Sequence, residues 1–263
     1  MGQQAKGDKY YKEIADDYVA SRTKKSEWHL EHLILEQLLA DQPDGITVLD
    51  LPFGTGRFVE LYEAKAMKIY GLDISTDMVN AAEKNLGKSF DHCKVTVCDA
   101  TKKLPYADQY FDLIVSFRFM KFFSYNVSLE ILREFYRILK PEAFAIIHMK
   151  LLKNNEPKTE SDKELNSIGG KLYDQDAVEL FNIAGFQVIH KAKVAGMERS
   201  KPATKKRSNT SIQNGSNSIP GKVIKHLQDG TLTRAIINRL NGKQKVKKPK
   251  HERIDYMVYL LQK

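Results

Sequence analysis

The stretch Val48-Leu49-Asp50-Leu51-Pro52-Phe53-Gly54-Thr55-Gly56-Arg57 decides how the rest of the chain is read. Thr47 to Leu51 reads as a short buried strand, and a helix from Phe58 to about Ala64 follows the glycines. Glycine at 54 and 56 lets the backbone take positive φ and approach a ligand closely. The helix N-terminus beyond them offers unpaired amides to an anion. There is no Gly-Lys-Ser/Thr ending of a Walker phosphate loop, and Val59 stands where a dinucleotide fingerprint needs its third glycine. A tight strand-to-helix turn with no ligand would use the same glycines.

Working outward, strands and helices alternate. Lys68 to Asp73 reads as a second strand, Asp77 to Leu86 as a helix and Lys94 to Asp99 as a third strand. Phe111 to Phe117 reads as a fourth strand, Val127 to Leu139 as an amphipathic helix stopped by Lys140-Pro141, and Phe144 to Met149 as a fifth strand. Asp174 to Ala184 is a further helix ended by Gly185, Phe186 to Val194 a sixth strand, and Ile254 to Leu261 a last one. Ahead of the first strand lie two helices, Tyr10 to about Ala20 and Glu27 to Ala40, and the turn Asp41 to Gly45. Such alternation implies an α/β, doubly wound sheet, mostly parallel, with helices on both faces and right-handed crossovers. Sheets of this kind bind ligands at the carboxyl ends of their strands.

Two more acids sit at those ends: Asp73 closes the second strand and Asp99 the third. One acid there can accept both hydroxyls of a ribose, and a second can accept an adenine amino group. Three solvated carboxylates would account for them singly. Together, beside a glycine turn, they point to a nucleoside held in one crevice.

These motifs resemble those of the class I S-adenosylmethionine-dependent methyltransferases, in the broad type 11 group. The resemblance covers about Tyr10 to Val194 and the last strand, and implies a Rossmann-like methyltransferase sheet with an antiparallel last strand. It implies that Asp50, Leu51, Pro52, Gly54, Gly56 and Arg57 contact the methionine part of S-adenosyl-L-methionine. Asp73 would bind the ribose, Ile74 and Met78 would pack on the adenine, and Asp99 with Ala100 would read its edge. Leu104 to Asp108 and Phe111 to Ser116 match the fourth-strand motif. Phe117 and Arg118 then fall near the meeting of donor and acceptor. Leu132-Arg133-Glu134 and Arg137 to Pro141 match the helix and turn before the fifth strand. Tyr10 to Tyr18 is similar to the family's lid helix, which implies that Tyr18 touches the cofactor and Tyr10 and Tyr11 the acceptor, with Lys121 and Arg118 also on the substrate side; Arg22 could neutralise the cofactor carboxylate or equally be solvated. Tyr10 and Tyr11 equally suit helix packing.

The chain departs from the family in three places. Phe53 replaces the usual cysteine or glycine, and Pro141-Glu142-Ala143 replaces Pro-Gly-Gly. Phe119-Met120-Lys121-Phe122-Phe123 stands where a histidine-bearing stretch is common, so the catalytic residue stays unknown. His29, His32, Tyr18, Tyr125 and Lys121 are all conceivable bases, and the mechanism needs one only for an acceptor of high pKa. His29 and His32 at i, i+3 lack a third ligand, so no metal is expected.

Composition bounds the remainder. The chain has 263 residues, 42% hydrophobic and 29% charged, which is globular. There is no run of about eighteen apolar residues for a transmembrane helix. A secretory signal is also lacking, and Lys6 spoils a myristoylation pattern. Cys93 and Cys98, two cysteines on opposite faces of a strand, exclude a disulfide framework or a cysteine-built zinc site and read as small core fillers in a reducing cytoplasm. No repeat period appears.

The net charge of +9 is concentrated: Gly196 to Lys250 holds fourteen Lys or Arg and two Asp or Glu, a local charge of +12, against −3 for the rest. The expected organisation is lid helices in 1–40, a methyltransferase core in 41–195 and 251–263, and a basic insertion in 196–250. The insertion has three functional readings beside a solvated decoration. It could grip RNA phosphates, though it carries no aromatic stacking platform. Its amphipathic stretch Gly221 to Leu240 could lie on an anionic membrane surface, suiting a protein peripheral to the inner membrane face. It could also dock a phosphorylated small molecule or an acidic protein. The expected activity is methyl transfer to a small or lipid-linked metabolite in the cytoplasm. An RNA methyltransferase and a cofactor-binding scaffold without transfer are the alternatives. Oligomeric state is not readable, and fold analogy names no substrate.

Overall fold

The structure is a computed structural model and describes residues 26–152, 172–194 and 254–263. Seven strands form one sheet in the order β3-β2-β1-β4-β5-β7-β6. The strands are β1 (Thr47–Asp50), β2 (Lys68–Asp73), β3 (Cys93–Val97), β4 (Phe111–Ser116), β5 (Leu139–Leu152), β6 (Gln187–Val194) and β7 (Ile254–Gln262). β1 to β5 pair in parallel, and β7 runs antiparallel to both β5 and β6. The order reverses between β1 and β4, which opens a crevice at their carboxyl ends.

Among the described residues five α-helices cover the faces: α1 (Ser26–Ala40), α2 (Val59–Glu63), α3 (Thr76–Leu86), α4 (Tyr125–Ile138) and α5 (Asp174–Ile183). Strand alternation divides the core. Leu49, Ile114 and Ile147 face α4 and α5, packing with Phe135 and Leu180. Val48, Leu113 and Val115 face the other way, against Leu35 of α1 and Tyr62 of α2. In α4 the buried Ile131, Leu132, Phe135 and Ile138 recur at helical spacing, and the Ser124 hydroxyl accepts from the Val127 amide at 3.4 Å as N-cap. Arg137 of α4 donates to Asp108 at 2.7 Å, while Glu134 accepts from the Leu104 amide at 2.9 Å. Those two bonds pin the loop ahead of β4.

Among the described residues the expected elements appear with three corrections, and the helix expected over Tyr10 to Ala20 lies outside them. β3 ends at Val97, so Asp99 lies two residues beyond the strand. α4 runs straight into β5 at Leu139, so Lys140-Pro141 begins no loop and β5 is more than twice its expected length. The surplus is absorbed by a bulge, since Phe111 pairs with Leu139 but Leu113 pairs with Phe144. Within it Glu142 takes φ +59, so a non-glycine residue adopts the left-handed turn. Cys93 and Cys98 are half-buried free thiols, packed against opposite faces of the sheet, rather than fully buried fillers. Burial pushes the Cys93 thiol up to about 11. Among the described residues no helix is long and apolar enough to cross a membrane.

Candidate active site

The crevice is built outward from the end of β1. The chain leaves the strand through a cis Leu51-Pro52 bond and turns at Gly54 (φ +56) and Gly56 (φ +71). Three bonds fix the turn. The Phe53 amide donates to the Leu72 carbonyl at 2.8 Å, the Gly56 amide to the Phe53 carbonyl at 3.0 Å, and the Gly54 amide to Asp73 Oδ2 at 2.8 Å. Asp73 Oδ1 accepts from the Ser75 amide at 2.9 Å. The acid at the end of β2 therefore braces the glycine turn as well as facing the crevice. Burial raises its carboxyl above the usual range, opposed by the Ser75 and Gly54 amides.

Phe53 and Gly71 answer each other. The Phe53 ring lies so close over β2 that a Cβ at residue 71 would come within 2.5 Å of it. A bulky residue in this turn is accommodated because the facing strand carries none.

A cleft open to solvent lies over the turn. Nine of the residues expected to bind cofactor or substrate line it: Asp50, Pro52, Gly54, Arg57, Asp73 and Met78 from β1 to α3, then Phe117, Arg118 and Lys121 after β4. Asp50 is almost wholly enclosed, and burial pushes its carboxyl well up, opposed by Tyr62 and Arg57. Leu51 and Gly56 are brought to the turn but not to the opening. Leu51 is fully buried in the core, and the site a Cβ would take on Gly56 faces Leu86. Ile74 stands 47% exposed just past Asp73, an apolar side chain left open beside the cleft. Asp99 accepts from the Thr101 amide and hydroxyl at 3.0 and 2.7 Å, and Ala100 is buried next to it. Tyr10, Tyr11, Tyr18 and Arg22 lie outside the described residues, as does 196–250.

Of the conceivable bases, Lys121 lines the cleft, whereas His29, His32 and Tyr125 do not. Burial and the Arg57 charge lower His32, which packs 6.1 Å from the Phe58 ring. Among the described residues no three His, Cys, Asp or Glu side chains are placed to hold a metal ion.

Three further side chains stand at or behind the cleft wall without having been singled out from the sequence. Trp28 lines the cleft, with the Arg57 guanidinium 3.7 Å from its ring centroid. Glu31 lies behind it, 1% exposed, ion-paired to Arg57 at 2.6 Å and Arg118 at 2.9 Å. His148 of β5 is also buried, stacked between Phe117 and Tyr256 at 5.5 and 5.4 Å. The available signals were a charge inside the apolar stripe of α1 and a lone histidine in an apolar strand.

Residues 49–147 match the methyltransferase domain family. A demethylmenaquinone methyltransferase from Thermotoga maritima is 37% identical over 125 residues, covering 46% of this chain and 50% of that protein. The chain thus spans about half the length of this curated relative. Among solved structures, the complex of the Haloferax volcanii Trm112 methyltransferase activator contains a similar chain. It has a TM-score of 0.59 and 20% identity, over 95% of this chain and 92% of that one. A Burkholderia thailandensis 1,6-didemethyltoxoflavin-N1-methyltransferase gives 0.57 and 12%, over 100% and 91%. At such identities the structures speak for the fold. Residues 49–147 are thus similar to a methyltransferase domain, and the seven-stranded sheet with its glycine turn agrees with that likeness.

Proposed function

We propose that the chain binds S-adenosyl-L-methionine in the cleft and transfers its methyl group to a small or lipid-linked metabolite by in-line displacement. The observation that carries this reading is the double engagement of Asp73. It accepts the Gly54 and Ser75 amides, at 2.8 and 2.9 Å, while lining the cleft. An acid held so stiffly keeps its remaining lone pairs aimed at one place, which suits two ribose hydroxyls. The exposed Ile74 fits an adenine face, and the strand order sets Asp99, Asp73, the glycine turn and Phe117 in a row along the sheet edge.

The donor sulfonium supplies an already activated methyl group. What the protein must add is alignment and exclusion of water, and positioning of this kind accounts for a large part of such rate enhancements. Trp28, Phe58, Phe117 and the 51% exposed Phe122 give the cleft an aromatic wall that suits an apolar or aromatic acceptor. The named acceptors of the two relatives, demethylmenaquinone and 1,6-didemethyltoxoflavin, differ from one another. The acceptor is therefore to be found by assay.

Calorimetric titration with S-adenosylhomocysteine, on wild type and Asp73→Ala, tests the reading. We expect micromolar binding that the variant loses or greatly weakens, with a urea melt of each protein to separate loss of site from loss of fold. A folded wild type that binds nothing refutes it. Transfer of labelled methyl to extract pools sorted into lipid, RNA and small molecules then discriminates the metabolite, RNA and scaffold readings. The +12 segment 196–250 favours keeping the RNA arm, whose affinity would fall steeply with salt.

A further inference from the structure

Beneath the cleft wall a carboxylate ties together four parts of the chain. Glu31, on α1, has both oxygens accepting from Arg118 Nε at 3.0 and 2.9 Å, and Oε2 also accepts from Arg57 at 2.6 Å. Its Oε1 faces His148 Nε2 at 3.3 Å. His148 Nδ1 accepts the Arg118 amide at 3.3 Å, so the imidazole proton of the neutral ring belongs on Nε2, toward Glu31. Arg57 also donates to the Trp28 carbonyl. Arg118 holds φ +61, a left-handed conformation costly for a non-glycine residue unless its surroundings enforce it.

The pieces depend on one another. Burial pushes the Glu31 carboxyl up, but the charges of Arg118 and Arg57, joined by His148 when that ring is protonated, outweigh it and hold the group below its ordinary range. Burial drives His148 down to about 4, so it is neutral near pH 7. Without Glu31 the two guanidiniums, 3.7 and 5.8 Å from the same Trp28 ring, would repel each other at the cleft wall. Both arginines line the cleft, whereas Glu31 and His148 do not.

Position along the sheet edge gives the network its role. In the order β3-β2-β1-β4, Asp99 follows β3 and Arg118 follows β4, at opposite ends of the site. A nucleoside spread over Asp73 and Asp99 directs whatever is attached to its ribose toward the arginine end. We propose that Glu31 is a positioning residue, which holds Arg57 and Arg118 at the cleft wall so that their charge receives the carboxylate of the donor's amino-acid arm. This rests on the reading of the cleft as an S-adenosylmethionine site.

The test compares S-adenosylhomocysteine with 5′-methylthioadenosine, which keeps the nucleoside and sulfur but lacks the amino-acid arm. Titrations are made on wild type, Glu31→Gln and Glu31→Asp. The expected result is that Glu31→Gln weakens S-adenosylhomocysteine about tenfold, the scale of one charge-assisted contact, and leaves 5′-methylthioadenosine within about twofold. Glu31→Asp, which keeps the charge, recovers part of the loss. Equal weakening of both ligands, or of neither, overturns the proposal, because a merely structural Glu31 would not discriminate the arm. If Glu31→Gln does not fold, the comparison moves to Glu31→Asp against wild type, because the shorter carboxylate draws both arginines back from the cleft wall while keeping the charge. There the same selective loss supports the proposal and its absence overturns it. Failure of the wild type to bind either ligand refutes the cofactor site itself, a separate outcome.

Discussion

Gly71→Ala is a substitution whose cost follows directly from the geometry of the glycine turn. Gly71 lies within β2 and its φ is not left-handed, so space rather than conformational freedom requires glycine there. A Cβ would stand 2.5 Å from Phe53 Cδ2 and 2.6 Å from Cγ, distances real Cβ atoms do not tolerate. Phe53 is 2% exposed, and its amide is bonded to Leu72, so the ring has little room to retreat. Overpacking of this kind costs ~1–3 kcal/mol. Alanine regains ~0.5–1 kcal/mol over glycine within a strand. The net expectation is a loss of ~1–2 kcal/mol. Phe53→Ala alone would cost ~3–5 kcal/mol as a cavity mutation. In the double variant the clash has no ring to meet, so the losses should fall short of additivity by ~1–2 kcal/mol. Urea denaturation of the four proteins at constant slope measures the cycle. Gly71→Ala should also weaken S-adenosylhomocysteine, because a displaced Phe53 drags Gly54 with it. A Gly71→Ala protein as stable as wild type, or losses additive within ~0.5 kcal/mol, would refute the packing argument.

Two further outcomes are expected. His148 titrates at about 4 in the folded chain against 6.5 as its ordinary value. The unfolded chain therefore binds the extra proton between those values, so the stability is fully present above pH 6.5 and is lost as pH falls toward 4, by ~3 kcal/mol for this group. Urea midpoints at pH 6.5 and 4.5 should drop less in His148→Gln than in wild type, and an unchanged slope would count against a neutral buried imidazole. Gly56→Ala faces both φ +71 and a contact of 2.4 Å with Leu86 Cδ1, whereas Gly54→Ala meets only Met78 Cε at 3.6 Å. Gly56→Ala should lose ~1–2 kcal/mol, more than Gly54→Ala, in paired thermal melts. Equal losses would mean that Leu86 simply moves aside.

What the sequence by itself determined is the part of the protein written in local chemistry. Periods of two and of 3.6 residues revealed the alternation of strands and helices, and turn residues located Gly54, Gly56 and the acids at the strand ends. Nine candidate residues consequently fell on one cleft, because parallel strands all deliver their carboxyl ends to the same edge. The starts and stops read from single residues fared worse. The helix does stop ahead of Lys140-Pro141, but the turn expected before the fifth strand is a bulge within β5, because pairing with β4 starts at Leu139 and ladder contacts outweighed the local signal. Tertiary structure alone decided which distant side chains meet. Glu31 finds Arg57, Arg118 and His148 across 26, 87 and 117 positions. Phe53 is tolerated only because Gly71 lies beneath it. Burial supplies the physical reason. It makes an ionised carboxylate or a bulky ring at a turn costly unless a partner from another strand or helix answers it, and no local pattern records which partner that is.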